Sequence, residues 1–244
     1  MIQMTADLLE SETHRPSIWR PWILLVLVAP ILLLAVTAIA VFLIIAKADG
    51  DSSVVPRELS AWFPYIAMIN HTLLFLIAVR LARSDGLTLQ QLGWKQEGTS
   101  WVLEAVIGLL AGVVIFLIQT RIAEPVVTAF RTSLEISALR PASTPVLTLN
   151  IAGLIAGTLF AGIVEETVYR GYIQRQLTAR LGTIIGILVM TFGFAVGLHW
   201  GLGPWSLVIV FLNGLLLALL FEWRRNLLTC AIAHAVINAM VVIL

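Results

Sequence analysis

Seven apolar stretches, separated by polar breaks of which three are longer than a turn, leave this chain few folds to choose from. They cover residues 22–46, 61–79, 101–119, 149–173, 183–200, 205–221 and 227–244. Each approaches the roughly 20 apolar residues that carry a helix across about 30 Å of hydrocarbon. In hydrocarbon every backbone donor must be satisfied within the segment, so the fold class is all-α, a polytopic transmembrane bundle of about seven spans. With 59% hydrophobic and 12% charged residues, the chain has too little polar surface for a water-soluble globule of 244 residues. The 22–46 stretch ends in Ala46-Lys47-Ala48, which mimics a leader cleavage site, but its apolar part is far longer than a leader's and reads as an uncleaved helix.

The charges lie mostly at the ends of these stretches. With the N-terminus inside, Arg15, Arg20, Arg80, Arg83, Lys95, Arg175, Arg180, Arg224 and Arg225 are cytoplasmic, and Lys47, Arg57, Arg121, Arg131 and Arg140 are outside. That excess favours a cytoplasmic N-terminus. The tryptophans also cluster at stretch ends, where amphipathic rings anchor at headgroup depth. A net charge of +1 without basic runs argues against nucleic acid as a partner. Cys230 is the single cysteine, so an intrachain disulfide is excluded. Without an internal repeat, residues 18–244 form one transmembrane domain behind a cytoplasmic tail, 1–17. Between the spans, 87–92 reads as a short helix in a cytoplasmic loop. Residues 120–148 read as an amphipathic interfacial segment ended by Pro141 and Pro145.

Against this background the fourth stretch carries two adjacent carboxylates, Glu165 and Glu166, followed by Arg170. An acidic residue at the bilayer centre costs roughly 2.5–3.5 kcal/mol on insertion scales, so a functional site is the default reading. Glu166 and Arg170 are four apart on one helical face, with the acid on the N-terminal side, which suits an ion pair. Glu165 lies about 100° round the helix and is free to act as a general base. Further on, His199 closes the fifth stretch, while His234 and Asn238 share one face of the seventh. Glu165 and His199 are each seventeen residues from Gly182, so antiparallel helices bring them level. The same count leaves His234 roughly 13 Å short, which requires a tilted sixth helix or a re-entrant 199–204 segment. The site is thus expected between the fourth, fifth and seventh helices. Asn70, His71, Gln119 and Asn213 read as interhelical hydrogen-bonding residues, with His71 as a third metal ligand the less favoured alternative. Gly153, Gly157 and Ala161, spaced by four, read as a close-packing seam.

The order Glu165-Glu166-x-x-x-Arg170, then His199, then His234-x-x-x-Asn238 resembles the CPBP family of intramembrane proteases. That family holds the type II CAAX prenyl endopeptidases, bacteriocin-processing proteins and Abi-type proteins. Arg170-Gly-Tyr172, Phe211-x-x-Gly214 and Arg225-Asn-Leu-Leu also resemble its pattern, with Leu89-x-x-Leu-Gly-Trp94 a weaker upstream echo. The likeness covers about 150–240, within a catalytic core of 149–244. It implies an endopeptidase acting on a membrane-anchored peptide or protein, prenylated or bacteriocin-like, in contact with the lipid bilayer. Glu165 with His199 would activate water, His234 and Asn238 would donate to the oxyanion, and Arg170 with Glu166 would hold the helix in register. A zinc site built from Glu165, His199 and His234 is the competing chemistry, and the sequence leaves both open. In the family's second motif the residue four before the histidine is a phenylalanine; here it is Ala195, with Phe194 one place early. That departure favours the alternative, a non-catalytic membrane immunity or binding protein using the same polar cluster. The short chain and compact loops point to a bacterial plasma-membrane protein.

Overall fold

The computed structural model describes residues 19–94, 98–133, 155–199 and 202–243. The tail 1–17, the prolines at 141 and 145, Gly153 and part of the 199–204 segment lie outside them. Among the described residues the fold is helical throughout, with no strand. Its long rods are α1 (Trp19–Lys47), α2 (Val55–Ser84), α3 (Trp101–Thr132), α4 (155–181), α5 (Thr183–His199), α6 (Pro204–Arg224) and α7 (Leu227–Ile243). By length and composition α1, α2 from Ala61, α3 and α6 can each cross a membrane, while α5 and α7 are apolar but shorter. The protein is a multi-pass membrane protein.

Local chemistry sets the ends. A single helical turn, Leu89–Leu92, stands within the expected 87–92 helix, because Thr88 and Gln91 form a reciprocal capping box and Gly93 (φ 111°) closes it in the left-handed region. Pro204 opens α6, and the Asn226 side chain accepts the Leu228 N–H (2.9 Å) to cap α7. One expectation is corrected here. The segment after 119 does not start a separate interfacial helix; α3 continues through it to Thr132, across a stretch of wider i→i+5 winding at Gln119–Ala123. The Gln119 side chain is satisfied along the way by Glu124 (2.8 Å) and Asn213 (2.7 Å).

The centre of the bundle is α7, gripped on two sides by glycines. A Cβ at Gly108 or Gly112 of α3 would lie 2.7 Å from the Thr229 or Ala233 carbonyl, and one at Gly162 of α4 would lie 2.9 Å from that of Ala231. Side-chain-free surfaces let the backbones touch, the usual means of packing helices in lipid. Of the seam expected at Gly153, Gly157 and Ala161, Gly153 lies outside the described residues, Gly157 meets α7 through its carbonyl, which accepts from Asn238 (2.7 Å), though a Cβ there would meet open space, and the closest approach is at Gly162. Gly112→Ala should accordingly cost about 1–3 kcal/mol. Gly157→Ala should cost nothing or gain slightly from its better helix propensity. Thermal unfolding of the two variants in detergent checks the contrast.

A second clamp joins the loop turn to the bundle. Leu227 donates its N–H to the Gly93 carbonyl (2.9 Å), and the Trp94 indole donates to Thr167 Oγ1 of α4 (3.0 Å). Gly171 of α4 sits where a Cβ would be 3.1 Å from the Leu92 carbonyl.

Candidate active site

The acidic pair lies in the middle of α4, where the helix changes winding. Residues Ala161–Glu165 are α-helical, and Glu166–Gln174 form nine residues of π-helix, all of them buried. Such winding is rare and recurs at functional sites. Glu166 and Arg170 are both 0% exposed and paired, with Arg170 Nη1 donating to Glu166 Oε1 at 2.9 Å. The expected four-residue pair is present. Arg170 does more than neutralise: Nη2 donates to the Gly214 carbonyl of α6 (3.0 Å), and the guanidinium lies 4.7 Å from the centre of the Phe194 ring of α5. One side chain thus ties α4 to both neighbouring rods.

The α7 face reaches the same place. His234 Nδ1 lies 2.7 Å from Glu166 Oε1, so Glu166 accepts from both Arg170 and His234. With Nδ1 carrying the hydrogen, Nε2 of a neutral His234 is left as an acceptor. One turn on, Asn238 donates to the Gly157 carbonyl (2.7 Å), leaving its second amide hydrogen uncommitted to that bond. At the end of α5, His199 Nδ1 lies 3.2 Å from the Phe194 carbonyl, which can only accept, so here too Nε2 is the free nitrogen. His199, His234 and Asn238 line one cavity of about 70 Å³ with Phe194, Val210 and Gly214. The shortfall in His234's height is resolved by α6. The α6 residues lining this cavity, Val210, Asn213, Gly214 and Leu217, lie roughly 9–20 Å beyond its first residue, so α6 begins past the level of His199.

Glu165 is 3% exposed, and its two oxygens are not equivalent. Oε1 lies 2.6 Å from His71 Nε2 of α2. Oε2 has no protein hydrogen-bond partner among the described residues and lies 3.9 Å from His234 Nε2. That separation exceeds a direct hydrogen bond and is one a bridging water spans. On the other side of the imidazole, His71 Nδ1 is 2.6 Å from the Ala67 carbonyl and must carry a hydrogen. His71 Nε2 and Glu165 Oε1 therefore share one further proton.

These residues fall in a segment with known relatives. The model of the Rce1-like family, type II CAAX prenyl endopeptidases, matches residues 147–240. The chain is similar to that family over this segment, which is less than half of its length. It is a family of proteases. Neither a curated protein nor a solved structure matches the chain.

Within the Rce1-like segment the structure gathers every residue singled out from the sequence: Glu165, Glu166 and Arg170 on α4, His199 on α5, and His234 and Asn238 on α7. Phe194 is one place away from the family position, yet its ring lies 4.8 Å from that of His199 and 4.9 Å from that of Tyr169. The displaced ring still lies against the site, and Ala195 is simply buried. Cys230 is buried, its Sγ 3.9 Å from the Leu217 carbonyl, in a packing role.

Outside the Rce1-like segment lies the residue that sequence reasoning undervalued. His71 bonds across helices, as expected of it, but its partner is Glu165 itself. An ionisable side chain in the middle of a span was the signal that could have found it. For zinc, Glu165 Oε2 and the Nε2 atoms of His199 and His234 are suitable donors in kind. As placed, no three His, Cys, Asp or Glu side chains among the described residues converge on a metal position.

Proposed function

We propose that this chain is an intramembrane endopeptidase that hydrolyses a peptide bond in a membrane-anchored substrate, prenylated CAAX-type or bacteriocin-like, with water activated by Glu165 and histidine. The observation that carries this reading is the Glu165 Oε2 atom: buried, without a protein partner among the described residues, and 3.9 Å from His234 Nε2. A buried carboxylate oxygen left unpaired is costly, and a water or a substrate group satisfies it.

In this reading water binds at Oε2, with His199 Nε2 as a second acceptor. As its oxygen attacks the carbonyl carbon, Glu165 takes the proton. The resulting oxyanion accepts hydrogen bonds from the remaining Asn238 amide hydrogen and from His234. Because His234 Nδ1–H is committed to Glu166, His234 donates to the oxyanion through Nε2 only when both ring nitrogens carry hydrogen. Glu165 then gives its proton to the departing amine nitrogen as the C–N bond breaks, leaving a carboxylic acid and an amine. Seven membrane crossings, a cytoplasmic N-terminus and a bacterial plasma membrane complete the proposal. The two shorter rods α5 and α7, each 17 residues, are at the lower end of spanning length.

The test is cleavage of a quenched fluorescent prenylated CAAX peptide by the purified protein and by His199→Ala and His234→Ala, each with and without a strong zinc chelator. Wild type is expected to turn over and each variant to lose roughly 10²–10³-fold. Rates insensitive to chelator assign the water to Glu165 and the histidines alone, and rates abolished by it assign an ion. Wild-type rates no higher than the variants' on prenylated and unprenylated peptides alike would overturn the proposal.

A further inference from the structure

We infer that His71 is a positioning residue for Glu165, selecting which carboxylate oxygen is presented for reaction; this rests on the endopeptidase reading above. A glutamate side chain has two chemically identical oxygens and a broad terminal torsion, so a free Glu165 would present either one at varying angles. Here Oε1 is held by His71 Nε2 at 2.6 Å, and Oε2 is thereby turned toward His234. His71 itself has little freedom. Its other nitrogen is fixed at 2.6 Å to the Ala67 carbonyl one turn back on α2, and its ring stands edge-on to Phe160 with centroids 6.4 Å apart. The His71 side chain is 11% exposed, so the hydrogen bond is largely shielded from competing water. α2 precedes the segment that matches the protease family, so this group is an addition from elsewhere in the chain to the residues that segment supplies.

A purely structural interhelical bond would have a different signature from a positioning one. The amide nitrogen of glutamine reaches the place of histidine Nε2, whereas that of asparagine reaches only the place of Nδ1. His71→Asn is expected to lower kcat on the prenylated peptide about 10²-fold with KM within twofold, the cost of a misdirected reacting group. His71→Gln is expected to recover at least a third of the wild-type kcat. An Asn variant that keeps its kcat, or Asn and Gln variants equally impaired with matching losses of thermal stability, would overturn the inference. A second readout does not depend on turnover: in protein labelled with ¹⁵N-histidine, Glu165→Gln is expected to shift the His71 Nε2 resonance while leaving Nδ1 nearly unmoved. An unmoved Nε2 resonance would overturn the inference by itself. A shifted resonance in a protein that cleaves no peptide would leave the contact standing and remove its catalytic purpose, so the inference and the endopeptidase reading fail separately.

Discussion

Glu165→Gln should lower the single-turnover rate of peptide cleavage by 10³-fold or more while leaving the protein folded. The amide is nearly isosteric, and its oxygen can still accept from His71 when His71 donates. What it cannot do is accept a proton on the atom that replaces Oε2, so the water loses its base. Stability should change little, because the amide fills the same space and keeps an acceptor for His71. The pair of measurements is cleavage of the prenylated peptide and thermal unfolding in the same detergent. A cleavage rate within tenfold of wild type would place the base elsewhere.

The largest loss of stability should follow from removing Arg170. Arg170→Met leaves Glu166 with His234 alone and takes away the hydrogen bond to the Gly214 carbonyl and the contact with the Phe194 ring. Breaking one partner of a fully buried pair typically costs about 3–5 kcal/mol, much of it the stranded charge. The double variant Glu166→Leu with Arg170→Met should recover most of that loss, since no charge is then stranded. It should remain inactive all the same, because His234 Nδ1 has lost the acceptor that fixes its tautomer. Unfolding midpoints for the two variants, set beside their cleavage rates, separate the two roles. A double variant no more stable than the single one would show that the stranded carboxylate is not what the arginine relieves.

The parts of the site that could be read in the sequence were those that depend on spacing within one helix. Glu166 with Arg170, and His234 with Asn238, meet as a four-residue step requires. What escaped depends on other information. Winding is a property of backbone hydrogen bonds, and nothing in the apolar pattern marks 156–160 and 166–174 as π-helical. His71 and Glu165 are 94 residues apart, and their meeting is decided by how α2 packs on α4. Phe194 looked out of place because a one-residue shift turns a ring about 100° on one helix, whereas its large side chain lies where α4, α5 and α6 meet. Trp94 was noticed only as an echo of a motif, although its indole binds the motif helix directly.

The hydrogen bond from Leu227 to the Gly93 carbonyl bears on how such a protein can diversify. It pins the first residue of α7, and through it the height of His234, to a turn that lies before the family segment begins. The two halves of the chain are therefore not free to be inherited separately. A hybrid joined near residue 147, taking its first half from one relative and its second from another, would carry all the motif residues and still owe the position of its histidine to a foreign loop. Lineages of this protein are expected to change Gly93, Trp94 and the α7 entrance together or not at all.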